Sequence, residues 1–414
     1  MKTPRLEKLT NIYLYVTFML TTSSASAQVL FTETNYPTNG FSCYIVSNDF
    51  NSDGHPDLAV ANQNWSETPD NGVLVLLNNG NGTFGAPALY LSGSSIDDIH
   101  SGDLNGDGHP DLVGIDRLNN NLLVLLNDGS GFFTPSTNYS VGNTPLGVRI
   151  SDLNNDGKGD VVIADAGNNK IMVLLNNGNG GLLSPVEYPV DGGRQLAVGD
   201  LNNDGYADIV ATNGGSNNIS VLLNNGNGTF APQTTYPTGD YAHYVTTGDL
   251  NDDGLNDLVV SNRNDKTISI FLNNGGGTFA PQLVYNVGNY PTTPAIGDLN
   301  GDGKADIVVS NVDDSNLSVL LNNDNGNFTD QSPVVTNGQP YSVIIADLNG
   351  DGKNDMATAN YQSENISILL NSGTLPVSLI SFTAKNQENQ AKLTWQTSSE
   401  SNNKEFIVYR SDDG

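Results

Sequence analysis

Short runs of aliphatic and β-branched residues alternate along most of the chain with loops rich in Asn, Asp and Gly. Residues 258–260 (Leu-Val-Val) and 219–223 (Ile-Ser-Val-Leu-Leu) are two such runs. Short runs of this composition, bounded by turn-forming residues, predict β-strands rather than helices. Residues 224–228 (Asn-Asn-Gly-Asn-Gly) predict a hairpin turn, because Asn and Gly tolerate positive φ. After residue 27 there is no convincing amphipathic helix pattern.

One polar string, Asp-x-Asn-x-Asp-Gly-x-x-Asp, recurs seven times, beginning at Asp49, Asp103, Asp152, Asp200, Asp249, Asp298 and Asp347. Successive copies are 54, 49, 48, 49, 49 and 49 residues apart. An Asn or Asp follows each first Asp by 13 residues, and in six copies a strand-ending Asn follows by 24. Four short strands in each repeat of about 50 residues are typical of β-propeller blades. An open β-solenoid is the alternative.

The two ends of the repeat array predict how it closes. Residues 31–38 (Phe-Thr-Glu-Thr-Asn-Tyr-Pro-Thr) match an outer strand such as residues 231–238, but no blade precedes them. The seventh copy lacks that strand. We therefore expect the N-terminal strand to complete the last blade, which removes two open edges. The predicted fold is all-β, a seven-bladed propeller of four-stranded blades over residues 28–372.

Residues 1–27 have the layout of a secretory signal peptide. The first eight residues carry three basic side chains, residues 12–20 are apolar, and residues 25–27 (Ala-Ser-Ala) offer a cleavage site. A membrane anchor is the alternative, but a bilayer span needs about 20 apolar residues. We therefore expect a secreted or cell-surface protein whose mature chain has no membrane span.

The repeat stops at Leu375, and residues 378–383, 391–395 and 406–410 alternate like the strands of a sandwich. This stretch resembles the opening of the fibronectin type III-like module found near the C-terminus of large bacterial proteins exported by type IX secretion. A complete sandwich of this kind has about 100 residues. The resemblance therefore implies a linker and a partial module over residues 373–414, in a chain that stops inside a domain.

The Asp loops present oxygen-bearing side chains at alternate positions, with a Gly that permits a sharp turn. Such hard oxygen ligands suit Ca²⁺ better than zinc or copper, and we expect up to seven Ca²⁺ ions. The candidate ligands are the first, third, fifth and ninth residues of each loop: Asp49, Asn51, Asp53, Asp57, Asp103, Asn105, Asp107, Asp111, Asp152, Asn154, Asp156, Asp160, Asp200, Asn202, Asp204, Asp208, Asp249, Asn251, Asp253, Asp257, Asp298, Asn300, Asp302, Asp306, Asp347, Asn349, Asp351 and Asp355. The seventh residue would add its backbone carbonyl.

Two other interpretations of these loops exist. An EF-hand also alternates oxygen ligands, but it needs Glu at position 12 and flanking helices. Position 12 here is apolar, Gly or Thr, and a strand follows. Polar turns without metal are the second alternative, although three carboxylates crowded together without a cation repel one another.

The loops, their period and three short segments together point to a family. Residues 84–87 read Phe-Gly-Ala-Pro, and residues 230–232 and 279–281 read Phe-Ala-Pro in the same place. Over about residues 30–371 the chain resembles the FG-GAP repeat family, also called VCBS, to which integrin α-chains belong. The resemblance implies a seven-bladed propeller with calcium loops between the innermost and second strands of each blade, on its lower face.

Charge narrows the choice of partner. Acidic residues outnumber basic ones by 45 to 16, and the formal net charge is −29. This argues against a nucleic-acid partner, because phosphate binding needs a basic face. The loops supply 21 of the acidic residues, so seven bound Ca²⁺ would change the mature chain from about −31 to about −17. A single cysteine, Cys43, excludes an intramolecular disulfide.

No catalytic signature is present: there is no Gly-x-Ser-x-Gly elbow, His-Glu-x-x-His or phosphate loop. Cys43 and His243 each lie six residues before a loop Asp, so repeat symmetry places them in different blades on one face. A Cys–His catalytic pair there would lack a third, orienting group. His55 and His109 occupy the seventh loop position, and we expect their side chains to face solvent.

The upper face consists of the loops before the inner strands and those between the second and third strands, and it varies between copies. Aromatic rings beside polar groups suit sugars or peptides. The candidate ligand-binding residues are Phe41, Trp65, Arg194, Tyr241, His243, Tyr290 and Tyr341. The same loops also carry Asp97, Arg117, Lys170, Arg263, Lys266 and Tyr361. The alternative is that these loops vary because nothing constrains them.

Two functional classes remain open. The first is a binding module without catalytic activity, used in adhesion or in capturing an extracellular glycan or protein. The second is a polysaccharide lyase built on a calcium-loaded propeller. A lyase needs a basic cleft and a general base, and no cluster of Lys and Arg is visible along the sequence. The binding module is therefore the first expectation.

Overall fold

The computed structural model describes residues 29–63, 71–178, 180–324, 326–374, 379–387 and 390–397. Throughout these residues the secondary structure is β, apart from one 3₁₀ turn at Gly214–Ser216. Residues Leu30–Gly373 form one compact unit. The expectation of an all-β, seven-bladed propeller with four-stranded antiparallel blades is confirmed.

The strands follow the chain blade by blade, after an N-terminal strand β1 (Val29–Pro37). Blade 1 contains β2 (Phe41–Asn48), β3 (Asp57–Gln63), β4 (Gly72–Leu76) and β5 (Ala88–Tyr90). Blade 2 contains β6 (Ile96–Gly102), β7 (Asp111–Asp116), β8 (Asn121–Asn127), β9 (Phe133–Pro135) and β10 (Tyr139–Ser140). Blade 3 contains β11 (Pro145–Ser151), β12 (Asp160–Asp165), β13 (Lys170–Leu174) and β14 (Val186–Pro189). Blade 4 contains β15 (Leu196–Gly199), β16 (Asp208–Asn213), β17 (Asn218–Leu222) and β18 (Thr234–Pro237).

The remaining three blades repeat the same order. Blade 5 contains β19 (Ala242–Gly248), β20 (Asp257–Asn262), β21 (Thr267–Phe271) and β22 (Leu283–Asn286). Blade 6 contains β23 (Pro291–Gly297), β24 (Asp306–Asn311), β25 (Asn316–Asp324), β26 (Asn327–Asp330) and β27 (Val334–Val335). Blade 7 contains β28 (Pro340–Ala346), β29 (Asp355–Asn360) and β30 (Asn365–Thr374), and it lacks an outer strand of its own.

The first strand of the chain closes the propeller. Its sheet has the order β1-β30-β29-β28, so β1 serves as the outer strand of blade 7. The Ser367 hydroxyl donates to Asn35 Oδ1 at 2.8 Å, and the Thr38 amide donates to the Glu364 carbonyl at 2.9 Å. This confirms the closure that the repeated strand sequence predicts, and it leaves no unpaired edge at β30.

The second strand of each blade is buried along its whole length, as in β20. Neighbouring blades pack on both of its faces, which explains why these segments read as continuous apolar runs. The outer strands are shorter than the sequence predicts: a strand is expected from residue 229, but β18 begins at Thr234. In this blade Phe230 forms only an isolated bridge to Asn224.

The hydrophobic core lies between adjacent blades. One cluster joins Leu104 and Val113 of blade 2 to Val161 and Ile163 of blade 3, and all four side chains are fully buried. The second residue of every Asp loop is buried in this core, and Phe50 takes this place in the first loop, where its ring centre lies 5.4 Å from that of Phe133. Burial of these loop residues fixes the loops on the core.

Tyrosines of the outer strands attach most blades to the next one. In β14 the Tyr188 ring packs edge-to-face on Phe230, with ring centres 5.5 Å apart, and its hydroxyl accepts the Phe230 amide at 3.3 Å. Tyr36 of β1 makes the same ring contact with Phe84, and its hydroxyl accepts the Phe84 amide at 3.0 Å. The Phe of the FG-GAP segment is thus a contact between blades.

Strands β31 (Leu379–Gln387) and β32 (Gln390–Thr397) form an antiparallel hairpin after the propeller. They coincide with two of the three strands expected there. The third, residues 406–410, and the expected signal peptide, residues 1–27, lie outside the described residues. The fibronectin type III-like assignment stays a prediction.

Candidate functional site

The lower end of each blade carries one Asp loop between the inner and second strands. In blade 4, Asp200 Oδ1 accepts the Asn203 amide at 2.7 Å and Oδ2 accepts the Gly205 amide at 2.8 Å. Asp204 Oδ1 accepts the Tyr206 amide at 2.9 Å. Asn203 has φ of 62° and Gly205 has φ of 85°, a conformation that Asn and Gly adopt readily. Side-chain oxygens therefore hold the loop in its tight turn.

The ninth residue of each loop differs from the others because it is buried. Asp208 is 0% exposed, and its two oxygens accept the Leu201 amide at 2.9 Å and the Asn224 amide at 2.7 Å. Burial, helped by the nearby Asp204 and Asp200 carboxylates, raises the pKa of Asp208 to about 6, although the two amide hydrogen bonds act to lower it. The ninth residue of five other loops has a similarly raised pKa, about 6 for Asp57, Asp111, Asp160 and Asp257 and about 7 for Asp306. This carboxylate is thus a structural acceptor for two backbone amides.

The strand-ending Asn of each repeat joins adjacent blades in a closed ring. Asn224 Nδ2 donates to the Leu153 carbonyl of the previous blade at 2.8 Å and to the Ala207 carbonyl of its own blade at 2.9 Å. Its Oδ1 accepts the Gly226 amide at 2.9 Å. The seven bonds between blades run from Asn78, Asn127, Asn176, Asn224, Asn273, Asn322 and Asn371 to Leu348, Phe50, Leu104, Leu153, Leu201, Leu250 and Leu299.

The donor set of the Asp loops suits a hard cation. Each loop offers carboxylate, amide and backbone oxygens at the alternate positions given above, and the first and fifth carboxylates lie near the buried ninth one. Among the described residues, no group of three or more His, Cys, Asp or Glu side chains comes together closely enough to hold a metal ion. In each loop the carboxylates instead accept backbone amides. The chemistry of the donors fits Ca²⁺, and their convergence is incomplete.

The upper end of the propeller contains a cavity of about 420 Å³. All seven blades contribute to its wall, which comprises Gln63, Asp97, Arg117, Leu146, Arg194, Arg263, Tyr290, Val312, Asp313, Gln339, Tyr341, Tyr361 and Gln362. Eleven of these residues occupy three repeat positions: eight or six residues before the first loop Asp, or 14 residues after it. These positions surround the propeller axis.

Irregular pairing at the upper end of the inner strands supplies part of this wall. The register between β28 and β29 shifts between Pro340 and Ser342, which leaves Tyr341 unpaired. The same shift occurs around Asp97 in β6 and around Leu146 in β11. An extra residue in one strand re-aims its side chain. The bulges therefore let single residues from inner strands reach the cavity.

Two arginines stack on tyrosines at the cavity. The Arg263 guanidinium carbon lies 3.8 Å from the centre of the Tyr290 ring and 5.4 Å from that of Tyr241. The Arg194 guanidinium lies 5.2 Å from the Tyr241 ring. Tyr241 and Tyr290 have φ of 65° and 57°, which is uncommon for bulky residues. A third arginine, Arg117, forms an ion pair with Asp97 at 3.0 Å.

His243 packs behind the cavity wall and is 2% exposed. Its ring centre lies 4.4 Å from that of Tyr244, 6.0 Å from Tyr290 and 6.4 Å from Tyr341. Burial lowers the pKa of His243 well below its usual value, and Arg194 and Arg263 lower it further. The imidazole is therefore neutral at pH 7, and no hydrogen bond to its Nδ1 is present within the described part of the chain.

A second charged group lies on the inner strands near the axis. Asp98 is fully buried and pairs with Arg149 at 3.1 Å, and its other oxygen accepts the Ile99 amide at 2.9 Å. Cys43 is 1% exposed, and its thiol donates to the Ile96 and Ala61 carbonyls at 3.2 and 3.4 Å. Burial, with Asp97 and Asp98, raises the pKa of Cys43 well above its usual value. An unreactive thiol results, which argues against the Cys–His pair.

The structure brings most of the candidate ligand-binding residues together. Arg194, Tyr290 and Tyr341 line the cavity. Tyr241 and His243 pack behind that wall, and Phe41 contacts Tyr361 with ring centres 5.4 Å apart. Trp65 lies outside the described residues. The sequence reading missed Gln63, Leu146, Val312 and Gln339, which comparison of the three repeat positions would have found.

Lys170 pairs with Glu187 at 2.6 Å, and neither Lys170 nor Lys266 is part of the cavity wall. One sequence expectation needs correction. His55 and His109 are half-buried rather than solvent-facing, because their rings cover the hairpin glycines Gly80 and Gly129. No cluster of basic residues is visible along the sequence, but three blades bring Arg117, Arg194 and Arg263 to one cavity. Residues distant in sequence meet because the blades share an axis.

Comparisons with known proteins agree with this architecture. The FG-GAP-like repeat profile matches residues 49–114, 103–163, 152–211, 200–260, 249–309 and 298–358. No curated protein matches the chain by sequence. Within the described residues, no helix is long and apolar enough to cross a membrane.

Solved structures share the fold at low sequence identity. BBS1N, solved in complex with ARL6DN, has a TM-score of 0.60 and 13% identity, and the match covers 85% of this chain and 98% of that one. A lectin from Agrocybe aegerita that recognises non-reducing terminal N-acetylglucosamine has a TM-score of 0.53 and 22% identity, and the match covers 76% of this chain and 92% of the lectin. At these identities the likeness is one of fold.

Proposed function

Since the chain belongs to the FG-GAP-like repeat family, we propose that it is a secreted or cell-surface binding module that captures an extracellular glycan or protein in its upper cavity. The observation that carries this proposal is the cavity itself, where Tyr290, Tyr341 and Tyr361 stand beside Gln and Arg side chains. Ring faces stack on sugar rings, and polar groups set their orientation. A volume of about 420 Å³ lies within the usual range for small-ligand sites.

Binding to a glycan is the form of this function that the wall chemistry favours. Gln63, Gln339 and Gln362 line the cavity, and amide groups can both donate to and accept from sugar hydroxyls. Gln339 Oε1 is buried and makes no hydrogen bond in the described part of the chain. The lectin among the structural neighbours gives a precedent for glycan binding on a similar fold.

A glycan array probed with the full chain tests this function. We expect capture of a defined set of glycans, and we expect Tyr341→Ala and Tyr290→Ala to abolish it. Lys304→Ala, at a lower loop, is the control and should leave capture unchanged. If no glycan or extracellular matrix protein binds, or if both tyrosine variants bind as well as the parent, the proposal is wrong.

A polysaccharide lyase is the second candidate, and the arginine cluster favours it. A lyase would hold an acidic polymer on Arg117, Arg194 and Arg263 and would need a neutral base nearby. His243 has the required neutral form, but it lies behind the wall with 2% exposure. Incubation with acidic polysaccharides and measurement of ultraviolet absorbance from unsaturated products separates the two. Product formation that is lost in His243→Gln would favour the lyase.

We also propose that the Asp loops bind Ca²⁺, with up to seven ions per chain. The first, third, fifth and ninth side chains and the seventh carbonyl of each loop would hold the ion. Binding to the folded state alone stabilises it, by about 2.7 kcal/mol for each site at 100 times Kd. We expect excess chelator to lower Tm substantially and added Ca²⁺ to restore it. An identical melting curve with chelator and with Ca²⁺ would rule out this role.

A further inference from the structure

The arginines of the propeller are gathered at its axis. Residues 30–373 contain four arginines, Arg117, Arg149, Arg194 and Arg263. Three line the upper cavity, and the fourth pairs with Asp98 on the inner strands. The whole chain has 45 acidic residues against 16 basic ones. Such a gathering of positive charge in an acidic protein produces a local field that attracts anions.

Two of these arginines have no carboxylate partner. Arg117 pairs with Asp97 and Arg149 with Asp98, whereas neither Arg194 nor Arg263 forms an ion pair with any described residue. The other carboxylate of the wall, Asp313, is exposed to solvent at the cavity rim. Surface arginines in a chain this acidic normally meet acidic neighbours. The unpaired state of these two is therefore a property of the cavity.

The surroundings hold both guanidinium groups in place without neutralising them. Tyr290 and Tyr241 take the faces of the guanidinium planes, which leaves their N–H edges available to donate. Arg194 Nε is buried and has no acceptor in the described part of the chain. Gly214 makes room for this side chain, because a Cβ there would lie 2.9 Å from Arg194 Cδ. A buried charged donor without an acceptor is costly.

We propose that the upper cavity selects acidic glycans, with a carboxylate or sulfate group of the sugar bound between Arg194 and Arg263. This inference rests on the proposed glycan-binding function and specifies its ligand class. The anion supplies the acceptors that the two guanidinium groups lack, and arginine forks match carboxylate and sulfate oxygens. Tyr290 and Tyr341 contact the sugar ring, while the paired Arg117 and Asp97 keep their own ion pair.

Isothermal titration calorimetry on the full chain tests this, with pairs of ligands that differ in their anionic groups. Methyl esterification of trigalacturonic acid replaces each charged carboxylate by a neutral ester, and chondroitin oligosaccharides lack the sulfate of chondroitin sulfate but keep its carboxylate. We expect the acidic member of at least one pair to bind roughly ten- to a hundredfold more tightly than its less charged partner, and to weaken as salt rises. The pair that responds identifies the anion.

Variants locate the effect in the cavity. Arg194→Gln and Arg263→Gln should each weaken acidic-ligand binding by roughly tenfold or more, with unchanged melting curves. Arg263→Lys keeps the charge but loses the fork and should recover only part of the affinity. Lys170→Gln, which removes an upper-end charge outside the cavity, is the matched control and should bind normally.

Each outcome decides between the two proposals. Binding of a neutral glycan with no preference for acidic ligands would overturn the anion inference and leave the binding function standing. Binding of acidic ligands that neither arginine variant affects would overturn the assignment to this cavity. Absence of binding to any acidic or neutral glycan would overturn both.

Discussion

The two ends of this propeller follow opposite rules. At the lower end, seven nearly identical loops use the same Asp, Asn and Gly residues, and apart from Asn322 Oδ1 the buried polar groups of these loops and of the Asn ring bond to backbone amides and carbonyls. At the upper end the repeat positions diverge, and Arg194 Nε, His243 Nδ1 and Asp97 Oδ2 are buried without a hydrogen bond within the described residues. Satisfied, repeated groups indicate a stabilising role. Divergent, unsatisfied groups are those expected of the proposed ligand-binding surface.

The difference explains how one fold can combine stability with a specific site. The Asn ring links every blade to the next at the lower end, and Tyr–Phe contacts along the outer strands join five of the seven neighbouring pairs. Because the upper loops are not needed for these links, they can hold strained residues such as Tyr241 and Tyr290. Substitutions at the two ends should therefore have different consequences for folding stability.

The largest loss of stability is expected from Asn224→Ala. This change removes donors to the Leu153 and Ala207 carbonyls and the acceptor of the Gly226 amide, so buried backbone groups lose their partners. We expect a loss of about 2–4 kcal/mol. Urea unfolding measures it, with the exposed neighbour Asn225→Ala as control at under about 0.5 kcal/mol. Equal losses of unfolding free energy in the two variants would show that the Asn bonds between blades add no more stability than an exposed Asn does.

The next-largest loss of stability is expected at acidic pH, and it arises from His243 at the upper end. The folded-state pKa of His243 lies below its unfolded value of about 6.5. The folded protein thus binds fewer protons than the unfolded chain. The stabilisation that neutral His243 gives the folded state is therefore complete above about pH 6.5, and it is lost as the pH falls below that value. The loss grows as the pH is lowered from about 6.5 toward 5.

The His243→Gln variant isolates this effect. We expect the difference in Tm between parent and variant to shift in the variant's favour as the pH falls from 7 to 5. His109→Gln, whose ring is half-buried at the lower end, serves as the comparison. A difference that stays constant with pH would mean that His243 does not control acid stability.

The smallest effect is expected from Tyr188→Phe. This change removes the acceptor of the Phe230 amide but keeps the edge-to-face ring contact, so we expect a loss of about 1 kcal/mol. Tyr290→Phe, in the cavity wall, should change stability by less than about 0.5 kcal/mol. Thermal unfolding distinguishes them. A larger loss for Tyr290→Phe would break the separation between a stabilising lower end and a binding upper end.

The sequence was a good guide to everything that repeats. The Asp loops, the alternation of strands and the matching segment at residues 31–38 predict seven blades and their closure, because each of these features is local or recurs with a fixed period. It was a poorer guide to roles within a repeat. Asp208 was predicted only as a metal ligand, yet its burial also makes it the acceptor of two amides.

The repeat pattern by itself thus determined the fold, the number of blades and the chemistry of the lower loops. Only the tertiary structure decided which of the variable residues meet. Arg117, Arg194 and Arg263 belong to three blades and are isolated along the chain, and they share one cavity because the blades are arranged around a common axis. The bulges that turn Asp97, Leu146 and Tyr341 toward that cavity depend on strand pairing. The arrangement of the blades around the axis depends on contacts between residues far apart in the sequence, so the sequence pattern of one repeat does not record it.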